Sequence, residues 1–228
     1  MHSGNQRVLR GAYAPPRCRS RASDANPMNA QYADLMTSPA AWPVQTPRLE
    51  IRPCTIDDLD AVWEYRRLPE VNEWLGRAPA TIEAFRETYS EPTRLASTFV
   101  IVPRERPDAV IGDVMVLIQD GWAQAEVAEQ AKGVQAELGW VLHPEHTGRG
   151  YATEAMRAVI DTCFGPLGLR RVHAGCFTVN EPSWRLMERL GMRREEDSRK
   201  TGLHRSGGWM DGLNYALLAE EWPTATAS

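Results

Sequence analysis

Glu137-Leu138-Gly139-Trp140-Val141-Leu142-His143-Pro144-Glu145-His146-Thr147-Gly148-Arg149-Gly150-Tyr151-Ala152-Thr153-Glu154-Ala155 is the stretch on which the fold turns. Its first six residues form a short, largely apolar run that reads as a strand, and His143-Pro144 ends it. Downstream, Ala152, Ala155, Met156, Val159, Ile160 and Cys163 recur at helical spacing and make one continuous apolar stripe. Between strand and helix stand Gly148 and Gly150. Glycines at a helix N-terminus let the backbone approach an anion, and the outward N–H groups and the helix dipole favour phosphate. The stretch has neither GxGxxG nor GK[ST], because Gly150 is followed by Tyr151, Ala152 and Thr153. Taken alone, the two glycines favour a plain tight turn.

Working outward, Arg171 to Phe177 reads as the next strand, which predicts a βαβ unit. Asn180 can cap a helix whose apolar positions are Trp184, Leu186, Met187 and Leu190, and Gly191 stops it. Met192 to Arg194 and Leu213 to Leu218 are predicted strands, with a turn near Gly207-Gly208. Upstream, Leu49 to Arg52 alternates like a strand, Thr55 begins a helix that Pro69 closes, and a second helix covers Thr81 to Tyr89, with Pro92 closing it. Ser97 to Val102 and Ala109 to Ile118 read as an antiparallel pair, and 121–134 as a polar insertion. The order β-α-α-β-β-β-α-β-α-β-β predicts one mixed α/β domain.

The chain has 228 residues, 43% of them hydrophobic and 25% charged, an ordinary globular balance. No apolar run approaches the roughly 18 residues of a membrane span. With 26 basic against 30 acidic residues, the net charge of -4 offers no footprint for nucleic acid or anionic membrane, and neither is an expected partner. Cys18, Cys54, Cys163 and Cys176 stand far apart with no CxxC, so reduced thiols in a cytoplasmic protein are expected. His143 and His146 have no HExxH or cysteine partner, and no metal site is expected. Arg7, Arg10, Arg17, Arg19 and Arg21 lie among Ser, Ala, Pro and Gly with no hydrophobic period. Residues 1–44 are therefore expected to be a disordered extension, dispensable to about residue 40, and 223–228 a tail flanking a domain over 45–222.

Four stretches together resemble the GNAT superfamily of N-acetyltransferases, nearest to the branch of ribosomal-protein N-terminal acetyltransferases. They are 137–155 above; Thr46-Pro47-Arg48-Leu49 with Ile51-Arg52-Pro53; Asn180-Glu181-Pro182-Ser183 with Glu188-Arg189-Leu190-Gly191-Met192; and Gly208-Trp209-Met210-Asp211 with Tyr215-Ala216-Leu217-Leu218 and Glu221-Trp222. The resemblance implies a single GNAT-like domain with a twisted, mostly antiparallel sheet, a central βαβ cofactor unit and about four helices. It implies acetyl-CoA as cosubstrate, without metal, and direct transfer to an amine acceptor, either a protein N-terminus or a small molecule. The CoA pyrophosphate is expected on the backbone of Thr147, Gly148, Arg149, Gly150, Tyr151 and Ala152, with the Arg149 side chain either at the phosphate rim or simply solvated. The pantetheine arm is expected beside Trp140, Val141 and Leu142, and Gly139 is expected to mark a bulge. Asn180 and Ser183 are assigned to the cofactor as well as to the helix start. The resemblance leaves a homodimer open.

This sequence departs from the family pattern at two positions. Glu145 stands where a Gln or Arg is usual, and Met187 occupies the slot of the tyrosine that protonates the departing thiolate. Methionine has no proton to give, so Ser183 or a water takes that role, or the thiolate leaves unassisted. An amine must also lose a proton before it attacks. Glu137 is the first candidate base, acting through a water, against the alternative of a solvent-facing strand carboxylate; Asp113 and His143 are weaker candidates. Two rival readings are a non-catalytic CoA-binding sensor or structural domain, and a nucleotide-binding α/β protein using the Gly148–Gly150 loop. The second requires an acidic magnesium ligand for which the sequence shows no motif.

Overall fold

The structure, a computed structural model, describes residues 32–223. Most of the expected extension (1–31) and of the expected tail (224–228) lies outside the described residues. The elements run α1 (Ala33–Met36), β1 (Val44–Gln45), β2 (Leu49–Pro53), α2 (Leu59–Arg66), α3 (Pro69–Asn72), α4 (Ile82–Tyr89), α5 (Pro92–Ala96), β3 (Thr98–Pro103) and β4 (Gly112–Gln119). They continue as β5 (Gln135–Leu142), α6 (Tyr151–Phe164), β6 (Arg171–Phe177), α7 (Glu181–Arg189), β7 (Arg193–His204) and β8 (Gly208–Leu218). The strands form one sheet in the order β1-β2-β3-β4-β5-β6-β8-β7, antiparallel at every pairing except β5–β6.

Side-chain alternation explains the layers. Val114, Val116, Ile118, Ala136, Leu138, Val172 and Ala174 point to one face, where Ala155, Met156, Val159, Ile160 and Cys163 of α6 and Leu186 and Met187 of α7 cover them. On the other face Val100, Val102 and Val141 pack under Leu59, Val62 and Tyr65 of α2 and Phe85 and Tyr89 of α4. α2 and α4 end at Arg66 and Tyr89, ahead of Pro69 and Pro92, and both prolines also open a helix. Each stands at the first position of a new short one, where the missing N–H costs nothing and φ is already helical. The charged run from Arg193 continues as a strand to His204, an edge strand whose solvated face carries no hydrophobic alternation. No helix among the described residues is long and apolar enough to cross a membrane.

The start of the domain is corrected. Met36 is fully buried and Trp42 nearly so, Trp42 packs on Phe99 with centroids 4.0 Å apart, and β1 pairs with β2. Tyr32 donates to Asp120 Oδ1 at 2.5 Å. Residues 32–44 thus belong to the domain, although their apolar residues are too sparse to show a period. A chain beginning at Ala41 is expected to lose the Met36 contribution, about 2–5 kcal/mol for emptying such a site. Its melting temperature should fall by roughly 4–20 °C, tracked by Met36→Ala in the full chain. An unchanged melting temperature in both would return this segment to the dispensable extension.

Candidate active site

The loop before α6 is shaped as an anion cradle. Gly148 and Gly150 have φ of 72° and 79°, a region that residues with a β-carbon rarely enter. Residues 147–150 are exposed. Among the described residues the backbone N–H groups of 148–153 donate to no protein acceptor; the first amide of the helix to be paired is Glu154, which bonds to the Gly150 carbonyl at 3.0 Å. A β-carbon built on Gly148 would meet nothing within 4 Å, so the space above the cradle is open. Thr147 is a correction: its N–H and hydroxyl both bond to the Pro144 carbonyl, at 3.1 and 2.7 Å, leaving that amide occupied. Glu145 is exposed.

A clamp that the sequence did not reveal fixes this loop. Arg48 Nε donates to Glu154 Oε2 at 2.7 Å and Arg48 Nη1 to the Arg149 carbonyl at 3.0 Å, while its guanidinium lies 4.5 Å from the Tyr151 ring centroid. Thr46 Oγ1 adds a bond to Glu154 Oε1 at 2.6 Å. Burial alone would raise the Glu154 carboxyl, but the bonds from Thr46 and Arg48 outweigh it and hold it below its ordinary range. The only sequence signal was Thr46 and Arg48 standing in one of the four resembling stretches; their partner lies more than 100 residues away.

Behind the cradle the sheet opens into a wedge. β5 and β6 pair only at Gln135–Arg171, Ala136–Val172 and Glu137–His173, after which the two strands separate. Val116 N–H bonds to the Ser97 carbonyl, so even-numbered residues of β4 face β3 and odd-numbered ones face β5. The N–H and C=O groups of Trp140 and Leu142 therefore turn to the open wedge, whereas those of Val141, paired with Asp113, turn to β4. Of the three residues expected beside the arm, two present free backbone and Val141 does not. Gly139 marks no bulge: β4–β5 register is unbroken from Gly112–Leu142 to Gln119–Gln135, and the splaying lies on the other edge. From Leu142 to the apex at Glu137 the open edge measures about 17 Å at 3.3–3.4 Å per residue.

Glu137 is half-buried at that apex. Burial raises its carboxyl above the usual range, and a bond from Gln119 partly opposes the rise. The other wall is the start of α7. Asn180 holds the cap position, but its side chain caps nothing and makes no hydrogen bond among the described residues; its carbonyl accepts from Ser183 N–H at 3.1 Å. Ser183 is half-buried against Cys176, whose thiol burial pushes up to about 11 despite a bond from Ser183. Met187 is fully buried in the core. Trp184 and Trp222 spend their indole N–H groups on the Thr178 carbonyl (3.1 Å) and Asp161 (2.6 Å), which makes them structural.

The weaker base candidates have other work. Asp113 is buried and holds Arg66 in an ion pair, with Arg66 Nε at 2.9 Å and the Tyr65 hydroxyl at 2.7 Å on Oδ2. Burial would lower the Arg66 guanidinium, but the Asp113 charge outweighs it. Both carboxylate oxygens are thus engaged by Arg66 and Tyr65, and neither is left to face an amine. His143 Nδ1 accepts from Glu145 N–H at 3.2 Å, and His143 lies about 20 Å along the strand from Glu137. Across the sheet, the β7–β8 tip reaches the C-terminal end of α3: His204 Nε2 donates to the Glu73 carbonyl at 2.9 Å and Arg205 Nη1 to Asn72 Oδ1 at 2.7 Å. Among the described residues, no group of three or more His, Cys, Asp or Glu could hold a metal.

Comparison with known proteins agrees with this geometry. A family model described as an acetyltransferase (GNAT) domain matches residues 48–193. The uncharacterized N-acetyltransferase YnaD of Bacillus subtilis is 31% identical over 180 residues, 78% of this chain and 98% of that protein. A GNAT-family acetyltransferase from Bacillus anthracis has a similar crystal structure, with a TM-score of 0.66 at 30% identity, covering 79% of this chain and 100% of that one. The ribosomal-protein-S5-alanine acetyltransferase of Vibrio fischeri shares the fold, with a TM-score of 0.63 at 18% identity over 80% of this chain and 100% of that one. By cradle, wedge and likeness, the chain belongs to the GNAT family of acetyltransferases.

Proposed function

We propose that this acyltransferase moves an acetyl group directly from acetyl-CoA to a primary amine, with both substrates bound at once and Glu137 accepting the amine proton. The observation that carries the reading is the continuous path from the unpaired N–H groups of 148–153, along the free backbone of Trp140 and Leu142, to a half-buried carboxylate at the apex. The cradle suits the pyrophosphate, and the strand edge suits the amides of the pantetheine arm, which pair as an added strand would. When bound, acetyl-CoA supplies the activated acyl group. Glu137 takes the proton from the amine, Asn180 and Ser183 hold the opposite wall, and the Ser183 hydroxyl stands in for the missing tyrosine. Direct transfer also fits the thiols: burial pushes Cys54 and Cys163 up to about 12 and Cys176 up to about 11, so none of the described cysteines is a ready nucleophile at neutral pH.

The acceptor is an amine on a small molecule or at a protein N-terminus. The Vibrio fischeri neighbour is named for an alanine of a ribosomal protein, which puts peptides with free N-termini in the test panel. Thiol release from acetyl-CoA should appear only when an accepted amine is present, and mass spectrometry should show the product one acetyl group heavier. CoA binding without turnover of any amine or peptide would favour a sensor domain instead.

A further inference from the structure

Glu137 is held from one side only. Its Oε2 accepts from Gln119 Nε2 at 3.2 Å, and Gln119 Oε1 lies 3.3 Å from His173 Nε2. The three residues come from adjacent strands: Glu137 sits opposite His173, and Gln119 lies one step diagonally across from Glu137 beside Gln135. The amide sets the direction of the row. Its NH2 end faces a carboxylate, so its carbonyl end accepts, and the His173 nitrogen facing it carries the proton. Burial, with help from Arg171 and against Glu195, lowers His173 to about 4, which keeps the ring neutral near pH 7. Among the described residues Glu137 Oε1 accepts no hydrogen bond, and it is not one of the buried unpartnered atoms, so it is open to solvent.

We propose that Gln119 and His173 are positioning residues that anchor one oxygen of Glu137 and leave the other facing the amine. The proposal rests on the reading of Glu137 as the base. In the transfer the amine N–H bond breaks and a bond forms from that hydrogen to Glu137 Oε1; the row itself passes no proton. The charged groups nearest the row are Arg171 on β6 and Glu195 on β7, paired with each other. The other neighbours of Glu137 on its face, Leu117 and Gly139, carry no charge.

Gln119→Leu removes the bond that opposes the rise of the Glu137 carboxyl. The acidic limb of the kcat/KM profile should move to higher pH and kcat should fall about tenfold or more, with KM for acetyl-CoA unchanged. His173→Leu should move the limb the same way but less, and His173→Gln, which keeps a donor, should restore it. Added to Glu137→Gln, Gln119→Leu should change turnover no further. A limb unmoved in folded Gln119→Leu, while Glu137→Gln abolishes it, overturns the positioning role and leaves the base standing. A wild-type limb in Glu137→Gln overturns the base itself. If Gln119→Leu fails to fold, the His173→Leu and His173→Gln pair decides: equal limbs in both overturn the proposal.

Discussion

Gly148→Asp and Gly150→Asp are each expected to remove measurable CoA binding by calorimetry while the protein stays folded. Two effects add. A β-carbon at φ of 72° or 79° costs about 1–2 kcal/mol of backbone strain and turns the loop away from its cradle shape. A carboxylate about 4 Å from one phosphate charge costs about 4 kcal/mol at an effective dielectric of 20, close to a thousandfold in affinity. Charge repulsion outweighs strain, so Gly148→Ala, with nothing within 4 Å of its new carbon, should weaken binding far less than Gly148→Asp. The fold should survive, because α6 is anchored by its buried stripe rather than by the loop. At position 150 the new side chain meets Arg48 Nη2 at 3.5 Å and competes with Glu154 for it, which distorts the clamp as well. Unchanged affinity in both folded aspartate variants would move the cofactor away from this loop.

How much of this is legible in the sequence depends on the range of the interaction. The stripe of α6, the bounds of β6 and the two loop glycines are local patterns, and the structure has them where the spacing puts them. The wedge follows from the family likeness, but its cause does not lie where a strand glycine points. Such a glycine suggests a bulge, yet Gly139 pairs normally with Met115; β6 keeps its pairing with β8 from Arg171 to Phe177 and loses β5 after His173. Thr147 passes for a free amide in the sequence because a one-dimensional pattern cannot show that the turn after Pro144 has already used it. The Gln119–Glu137–His173 row and the Arg48–Glu154 clamp lie beyond local reading, since each joins strands or helices far apart in the chain. Met36 and Trp42 escape for a different reason. They are isolated apolar residues in a polar segment, and only a neighbour's exposed core makes them necessary.

With Glu137 as the proposed base, Glu137→Gln should lower turnover by about 10²–10⁴-fold with CoA affinity nearly unchanged, because the side chain is assigned to the acceptor and not the phosphates. In the wild type the acidic limb of kcat/KM should follow the Glu137 carboxyl, which burial places above the ordinary glutamate value of about 4.3. Without a carboxylate the bend at the Glu137 pKa should disappear, leaving only the dependence set by ionisation of the amine itself. Stability gives an independent readout. A carboxyl whose folded pKa is raised contributes stability that is present below its unfolded pKa and is lost as pH rises through the folded value. At neutral pH the half-buried charge therefore costs stability, and a neutral amide of the same shape does not. Glu137→Gln should melt at or above the wild-type temperature at pH 7 and converge with it below about pH 4. That combination of a slower enzyme and an equally or more stable fold is what a base held against its desolvation cost predicts. A solvated strand carboxylate would move neither quantity. Wild-type turnover with a verified acceptor, across the whole pH range, would exclude Glu137 and leave an amine that reaches the wedge already neutral.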